Sequence, residues 1–402
     1  MVALFAASCG LAVANMYYAQ PLLPQIARTF GVPKGPTADV VTAAQVGYIL
    51  GLALVVPLGD ILVRRRLVPI VLAAASVALA VGASAPSLIV LEVAIGAAGV
   101  CSVAAMILVP FASSLAQPER QGRVVGTVMS GLLLGILLAR SFAGLVAQQS
   151  SWRTVYWLAS VMMLVLAGIL AVRLPGEQPR PGVHYLVLLR SAARFLATEP
   201  VLQLRSALGA LIFATFSVLW TGLSFLLAGP PYGYGSATIG LFGLLGVVGA
   251  GAASFSGHLA DQGWERRVTG GALLLLVASM AVMALGGHHL WALVIGVIFG
   301  DLAVQAVHIQ NQHQVFALHP AARSRLNTGY MVCYFFGGAI GSAATGVAWT
   351  RGGWSGVVIL GISFAATAFV VWAISVLVAR PSVKPPHAGG LPTHPAADPS
   401  TT

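Results

Sequence analysis

Charged residues are scarce in this sequence: Asp, Glu, Lys and Arg make up only 8% of 402 residues, against roughly 25% in an ordinary soluble domain. A soluble fold of this size could not hydrate its surface with so few charges. The lipid bilayer must therefore be the solvent for most of the chain. The formal charge of +11 would suggest nucleic-acid binding in a soluble protein, but the positions of the basic residues indicate otherwise.

Cysteines and catalytic motifs are equally scarce. Cys9, Cys101 and Cys333 stand singly in apolar runs, so they predict neither a disulfide framework nor a metal site, and no cofactor is expected. The sequence contains no Walker loop, Gly-x-Ser-x-Gly elbow or His-Glu-x-x-His motif. A membrane enzyme built on His308 and His313 is disfavoured, because side chains five residues apart diverge on a helix and a third metal ligand is missing. We therefore predict that the protein is not an enzyme.

Apolar stretches long enough to cross about 30 Å of hydrocarbon recur along the whole chain. We call them spans 1 to 12, at residues 2–26, 38–58, 67–85, 87–112, 122–147, 152–173, 203–227, 235–258, 268–287, 290–318, 326–349 and 354–379. The longest polar interval, 174–202, is rich in proline and then basic and amphipathic. The tail, 380–402, is rich in Pro, His and Thr, so we expect it to be disordered.

The basic residues predict the orientation of these spans. If both termini are cytoplasmic, 16 of the 21 Lys and Arg side chains face the cytoplasm, four face outside, and Arg140 lies within the membrane. Adding or removing one span would move loops to the opposite side of the membrane, and this bias of basic residues would be lost. We expect a multi-pass protein of the inner (plasma) membrane with both termini in the cytoplasm. The positive charge is then explained by membrane topology and by contact with anionic lipid, not by nucleic-acid binding.

The two halves of the sequence resemble each other at an offset of 202 residues. The matches include Pro118-Glu119-Arg120-Gln121-Gly122-Arg123 with Pro320-Ala321-Ala322-Arg323-Ser324-Arg325, Met129 with Met331, Gly135 with Gly337 and Trp152 with Trp354. An ordered set of this kind predicts two six-helix halves of one ancestry. They are residues 1–173 and 203–379, joined by a cytoplasmic loop at 174–202, and substrate usually binds between such halves.

Two loops place a carboxylate at a helix end with arginines four to six residues later. The first contains Gly59-Asp60 and Arg64-Arg65-Arg66, and the second reads Gly257-His258-Leu259-Ala260-Asp261, followed by Arg266-Arg267. Both resemble the loop signature of the major facilitator superfamily, Gly-x-Leu-Ala-Asp-Arg-x-Gly-Arg-Arg. With twelve spans and a half-length repeat, the resemblance covers essentially the whole chain.

The resemblance implies an all-α membrane fold with two pseudo-symmetric halves of six helices. It also implies a gating latch made of Asp60, Arg64, Arg65, Asp261, Arg266 and Arg267. The alternative is that these arginines only set the topology.

Two other family motifs are altered, and each alteration leaves a charge inside the membrane. In span 4 the motif Arg-x-x-Gln-Gly corresponds to Glu92–Gly96, so an acid replaces the arginine. In span 5 the antiporter motif Gly-Pro-x-x-Gly-Gly corresponds to Ala139–Gly144, where Arg140 replaces the proline. Both charges lie roughly 10 Å below the outer surface, so we expect a Glu92–Arg140 ion pair. The pair either positions the helices as a static ion pair or takes part in binding substrate or protons.

Span 10 carries a polar stripe, with Asp301, Gln305, His308 and Gln312 on one helical face. Lipid would penalise this face, so it must pack on protein or line a cavity, with Asp301 near the midplane. In the resembled fold, spans 1, 4, 7 and 10 surround the central cavity. We therefore predict a substrate cavity lined by Asn15, Tyr18, Gln20, Trp220, Thr221, Gln305 and Gln312. Tyr17 is interpreted as a residue of the interfacial aromatic belt.

The resemblance implies a secondary transporter that moves a small organic solute by alternating access, as a monomer. Protons are the expected coupling ion, because Asp301, Glu92 and His308 can exchange protons. Resemblance to the drug and metabolite efflux branch favours export. Proton-coupled uptake or facilitated diffusion is one alternative. Another is a transporter-like sensor that binds a solute without moving it, although such sensors usually carry an added signalling domain.

Overall fold

The computed structural model describes residues 1–117, 120–176, 185–247, 264–319 and 322–378. The secondary structure of these residues is helical, without strands. Nine helical segments in these ranges are long and apolar enough to cross a membrane. One of them, Arg323–Val378, has 56 residues and is broken at Gly353, whose φ of 56° is not helical. This segment therefore contains both span 11 and span 12.

The helices of residues 1–173 correspond to spans 1 to 6. They are α1 (Val2–Ala14) and α2 (Leu23–Phe30) in span 1, α3 (Ala38–Leu50) in span 2, α4 (Arg64–Ala83) in span 3, α5 (Leu88–Cys101) and α6 (Ala104–Ser114) in span 4, α7 (Gln121–Gln149) in span 5 and α8 (Trp152–Arg173) in span 6. A π turn at Gly51–Val55 and a 3₁₀ turn at Val56–Asp60 extend span 2.

The later helices correspond to the central loop and to spans 7 to 12. They are α9 (Tyr185–Thr198) in the loop, α10 (Pro200–Leu227) in span 7, α11 (Ser236–Leu241) in span 8, α12 (Glu265–Val282) in span 9, α13 (Leu290–Leu318) in span 10 and α14 (Arg323–Val378) in spans 11 and 12. A 3₁₀ turn at Phe242–Gly246 extends span 8, and another at Met283–Gly287 extends span 9. The remainder of span 8 and the tail at 380–402 lie outside the described residues. The described helices fit the predicted all-α fold of twelve spans.

Span 1 differs from the continuous helix predicted at residues 2–26. After α1 ends at Ala14, the chain passes through turns and a 3₁₀ turn at Gln20–Leu22 before α2 begins. Pro21 and Pro24 explain the break, because proline has no N–H to donate to a carbonyl four residues earlier. Irregular backbone at membrane depth must be covered by protein or line a cavity, and residues 12–24 are all buried.

Matching glycines pack span 1 on span 5 and span 7 on span 11. Gly135 in α7 lies against the backbone of Gly10 in α1, and Gly337 in α14 lies against the backbone of Ala210 in α10. A β-carbon at either glycine would overlap the backbone of the partner helix. Glycine is therefore required for this close approach, and the two glycines are partners in the sequence repeat.

The two halves contact each other along span 2, which packs against span 11, and along span 5, which packs against span 8. Gln45 Nε2 donates a hydrogen bond to Ser217 Oγ of span 7 at 3.1 Å. The hydroxyls of Thr42 and Ser342 are hydrogen-bonded at 2.7 Å. Polar side chains in the apolar spans therefore connect the two halves directly.

We call the end of the bundle that carries the loop at 31–34 the outer end, following the predicted orientation, and the opposite end the inner end. Lys34 Nζ donates a hydrogen bond to the carbonyl oxygen of Phe225, at the end of α10, at 3.0 Å. Partial burial, and secondly the charge of Arg28, lower the pKa of Lys34. The halves are therefore in contact at the outer end, through an ammonium group that has lost part of its hydration.

Helix α9 contacts both halves at the inner end. Tyr185 Oη donates a hydrogen bond to the carbonyl oxygen of Leu54 in span 2 at 2.8 Å. Arg325 Nη1, at the start of α14, donates a hydrogen bond to Ser191 Oγ at 2.9 Å. The segment that connects the halves in sequence is thus also fixed to each of them in space.

Candidate functional site

The guanidinium of Arg140 lies at the centre of the candidate site, in α7, and the residue is only 2% exposed. Its Nε donates a hydrogen bond to Gln20 Oε1 at 2.5 Å. Its Cζ lies 4.0 Å from the centre of the Trp220 ring and 4.9 Å from that of Tyr17. Aromatic faces attract a cation, most strongly where water is excluded. Spans 1 and 7 therefore supply the surroundings that let an arginine remain inside the membrane.

Asp301 of α13 lies on the other side of Trp220. Its Oδ1 accepts a hydrogen bond from Trp220 Nε1 at 3.2 Å. Its Oδ2 faces Gly246 of span 8, where a β-carbon would lie 2.8 Å from this oxygen. A side chain at residue 246 would therefore displace the carboxylate.

Trp220 bridges two opposite charges that belong to different halves of the protein. Its ring face contacts Arg140, and its N–H contacts Asp301. Arg140 and Asp301 form no direct ion pair in the described structure, but they are close enough for their charges to interact. Because both groups are buried, the attraction is only weakly screened. The attraction acts between span 5 and span 10, across the interface between the halves.

The predicted Glu92–Arg140 ion pair is wrong. Glu92 is half-buried near the start of α5, and the charge that acts on it is that of Asp39. Arg140 instead faces Gln20 and Trp220. The depths of the two residues along their helices were compatible with a pair. Depth, however, does not determine which way a side chain points around its helix axis, and α7 turns Arg140 towards spans 1 and 7.

The predicted cavity residues of spans 1 and 7 are buried, but their surroundings differ. Gln20 and Trp220 contact Arg140, as described above. The side-chain amide of Asn15 and the hydroxyl of Thr221 are buried without a hydrogen-bond partner among the described residues. Tyr18 packs against Phe142 of α7, with ring centres 5.9 Å apart. Tyr17, interpreted from the sequence as a belt residue, is the tyrosine that contacts Arg140.

The polar stripe of span 10 continues from Asp301 towards the inner end. His308 Nδ1 is hydrogen-bonded to Tyr330 Oη at 2.9 Å, and its ring centre lies 4.6 Å from that of Tyr334. Gln305 and Gln312 are half-buried. The stripe therefore packs partly against the aromatic side chains of span 11.

The sequence did not identify three further polar residues near this stripe. Gln310 and Asn311 of α13 are fully buried, and Arg205 Nη1 of α10 donates a hydrogen bond to Asn311 Oδ1 at 3.4 Å. Two adjacent amides in an apolar helix were the available signal. They lie off the face defined by Asp301 and His308, so the pattern that revealed the stripe passed over them.

The first predicted gating loop brings its acid and one arginine together. Asp60 Oδ1 lies 3.6 Å from Arg64 Nη2. Arg64 is buried, donates from Nε to the carbonyl oxygen of Gly59 at 2.8 Å, and contacts the ring of Phe111 in span 4. Arg65 is exposed. Arg64 therefore anchors this loop to span 4, while Arg65 remains in solvent.

The second predicted gating loop is only partly described. Asp261 lies outside the described residues. Arg266 and Arg267 are exposed at the start of α12, where Arg267 Cζ lies 5.0 Å from the centre of the Trp264 ring. The two arginines thus occupy the helix end at which the predicted latch would lie.

Comparison with known proteins gives consistent matches over most of the chain. The family model described as Major Facilitator Superfamily matches residues 5–301. The putative uncharacterized transporter YgaY of Escherichia coli strain K12 is 46% identical over 372 residues, which cover 92% of this chain and 94% of the relative. The probable transporter SCO4007 of Streptomyces coelicolor is 33% identical, covering 88% and 82%. A bacterial homolog of the human lysosomal transporter Spinster, in an inward-facing and occupied conformation, has a TM-score of 0.74 at 13% identity, covering 94% of this chain and 96% of that chain.

Proposed function

Because the chain belongs to the major facilitator superfamily, we propose that it is a proton-coupled secondary transporter, moving a small organic solute across the membrane by alternating access. The transporter class follows from the family and from relatives that are named as transporters, not enzymes. One observation carries the proton coupling. Two buried opposite charges, Arg140 and Asp301, attract each other across the interface of the halves through Trp220.

Protonation of Asp301 would change the balance between access states. The ionised carboxylate attracts Arg140 and favours the arrangement in which spans 5 and 10 are close. A proton on Asp301 removes that attraction, because a neutral acid no longer offsets the buried guanidinium. Alternating access requires the halves to move relative to each other. Proton binding at Asp301 therefore becomes linked to the motion that carries the solute.

The remaining residues of the site have supporting roles in this proposal. Arg140 is the counter-charge, His308 is a second titratable group on the same face, and Glu92 lies outside the site. The solute is bound by Gln20, Asn15, Trp220 and Thr221. Gln305 and Gln312 line its path nearer the inner end. We also propose that Asp60, Arg64 and Arg65 act as a latch, with Asp261, Arg266 and Arg267 as its counterpart.

We further propose that the protein is a monomer in the inner membrane, with both termini in the cytoplasm and the basic inner end against anionic lipid. Export is the direction implied by resemblance to the efflux branch. The balance of charge between Arg140 and Asp301 favours the second candidate, proton-coupled uptake. Vesicles loaded with solute on one side and a proton gradient of either sign distinguish the two directions.

The coupling role of Asp301 is tested with Asp301→Asn, which keeps an acceptor for Trp220 but cannot ionise. A thermal-shift screen of metabolites and drugs on the purified protein would first supply a solute. In proteoliposomes we expect Asp301→Asn to lose gradient-driven transport and to keep exchange between preloaded compartments. The matched control Glu92→Gln should retain both activities. Full proton-driven transport by a well-folded Asp301→Asn protein would refute the proposal, and a protein that binds solute without any transport would indicate a sensor.

A further inference from the structure

We infer that the transported solute is a small organic anion with a flat apolar body, and that it binds together with one proton. The inference rests on the proposed function, because it concerns the same central site. It begins with Arg140, whose Nη2 is buried and has no hydrogen-bond partner among the described residues. Only its Nε donates to a protein acceptor in this part of the structure.

The elements that contact Arg140 carry further buried polar atoms without a hydrogen-bond partner among the described residues. The Asn15 amide lies in the break of span 1 that also carries Tyr17 and Gln20. Neither its donor nor its acceptor atom has a partner in the described ranges. Thr221 Oγ1, next to Trp220 in sequence, likewise has no partner in the part of the chain that the structure describes. A buried unsatisfied donor costs about 1–3 kcal/mol, and more when it is charged. A ligand that brings acceptor oxygens would therefore be stabilised here.

The shape of the guanidinium selects the kind of acceptor. Its planar, forked donors match the paired oxygens of a carboxylate or sulfonate, which can accept two parallel hydrogen bonds. The nearby walls are aromatic: the rings of Trp220, Tyr17 and Phe216 have their centres 4.0, 4.9 and 5.5 Å from Arg140 Cζ. Such walls bind flat apolar groups by stacking. The guanidinium and the aromatic rings around it therefore favour an anion carried on a flat apolar body.

The charge balance of the site links the anion to a proton. Without a solute, the positive charge of Arg140 and the negative charge of Asp301 cancel. An anion on Arg140 would leave one buried negative charge uncompensated, which is strongly unfavourable. A proton taken from solvent onto an oxygen of Asp301 restores neutrality. A cation, in contrast, would add charge beside Arg140, and the ionised Asp301 would have no proton to release in exchange.

Among the residues that the structure describes, no other group that faces Asp301 can take up this proton as readily. The titratable side chains whose charge acts with that of Asp301 are Arg140 of span 5, Tyr17 of span 1 and Tyr334 of span 11. Arginine is already charged, and tyrosine is already protonated at neutral pH. On the same helix, His308 is two turns away and is hydrogen-bonded to Tyr330. Asp301 is therefore the group that would accept the proton.

Binding an anion and a proton together makes the protein a symporter. The inward proton gradient across an inner membrane would then drive uptake of the anion. The charge arrangement thus favours the uptake alternative over export.

Calorimetry on the purified full-length protein in detergent tests the inference. Benzenesulfonate is the main probe, because it stays ionised over the whole working pH range, so that any proton taken up must bind to the protein. Benzenesulfonamide is the neutral control of similar shape, and benzylammonium is the cationic control. Titrations in buffers with different ionisation enthalpies count the protons bound with each probe.

We expect benzenesulfonate to bind at least tenfold more tightly than either control, with uptake of about one proton. Its affinity should fall about tenfold per pH unit where Asp301 is ionised in the free protein. Arg140→Gln should weaken binding of this probe at least tenfold. Asp301→Asn should still bind it, but without proton uptake or pH dependence. Should Arg140→Gln not fold, Asp301→Asn alone decides the result.

The possible failures of the two proposals differ. Equal binding of benzenesulfonate and benzenesulfonamide, no binding of any probe, or anion binding without proton uptake would overturn the inference. Benzylammonium binding with proton release that is lost in Asp301→Asn would also overturn it, while leaving Asp301 as the coupling acid. Proton uptake with benzenesulfonate that persists in Asp301→Asn would instead remove the proposed coupling role and leave the anionic solute in place.

Discussion

Energetic coupling between Arg140 and Asp301 is the most direct consequence of the site geometry. We expect Arg140→Gln and Asp301→Asn each to destabilise the protein, because each leaves one charge buried without its counter-charge. The contacts of Trp220 with both groups put the charges roughly 7 Å apart, which gives an attraction of about 2 kcal/mol at an effective dielectric constant of about 20. The double variant should therefore be about 2 kcal/mol more stable than the sum of the two single losses predicts.

The assay is a double-mutant cycle on the free energy of unfolding, measured by titration with a denaturing detergent in mixed micelles. A second cycle, with Glu92→Gln in place of Asp301→Asn, serves as the matched control. It removes a carboxylate that is also in a membrane span but is not beside Arg140. Distant sites without shared partners are additive within about 0.5 kcal/mol. The control cycle should therefore show no coupling.

The pattern of the two cycles decides the result. If Arg140 and Asp301 are additive within error, the electrostatic link between the halves does not exist. If Glu92→Gln shows the coupling instead, the charge pair expected from the sequence is correct and the arrangement around Trp220 is not. Circular dichroism on all variants excludes a loss of helix as the source of either result.

Three further expectations follow from close contacts and from the predicted orientation. Gly246→Ala should reduce proton-driven transport about tenfold, because the new methyl group displaces Asp301 Oδ2. The control Gly271→Ala, in open space on α12, should leave transport unchanged. Equal transport by the two variants would contradict the contact between residue 246 and Asp301. Gly135→Ala should lower the free energy of unfolding by about 1–3 kcal/mol, because the added methyl group forces α1 away from α7. The control Gly168→Ala adds a methyl group that meets no described atom, so it should not lower this free energy. Equal stabilities of the two variants would show that α1 and α7 can separate freely. Reporter fusions to the C-terminal tail should be cytoplasmic and fusions at 84–87 periplasmic, and a tail outside the cell would overturn the twelve-span topology.

The fold was largely predictable because a membrane constrains a sequence more simply than water does. Long apolar runs, basic residues at one set of loops and the half-length repeat predicted an all-α membrane fold, and the two loops that resemble the family signature predicted the family. Both predictions are confirmed. The break in span 1 was not predicted. Apart from Asn15, the chain stays largely apolar from α1 through residue 19, so its hydropathy indicates one continuous span. Only Pro21 and Pro24 reveal that the helix cannot continue.

The site was predictable in part, and the errors have one physical cause. The pattern along α13 identified Asp301 as a charge that must face protein or a cavity, because a helical face can be derived from spacing within one helix. The partner of Arg140 could not be derived in this way. It depends on how α7 is rotated against its neighbours. Gly144 of span 5 and Gly240 of span 8 pack closely against each other and so help to fix that rotation. Tyr17 was misassigned for the same reason, since the local sequence does not show which of two adjacent tyrosines faces inward.

The amphipathic helix α9 limits how the two halves can move apart. Through Tyr185 it holds the carbonyl group of Leu54, and through Ser191 it holds Arg325. A rotation that separates the inner ends of spans 2 and 11 must therefore break one of these hydrogen bonds or stretch the helix itself. A helix resists stretching, so in the proposed motion α9 would hold the two inner ends at a fixed distance until the weaker hydrogen bond breaks. In the proposed transport cycle, the extent of inner opening would therefore depend on a segment that lies away from the central site.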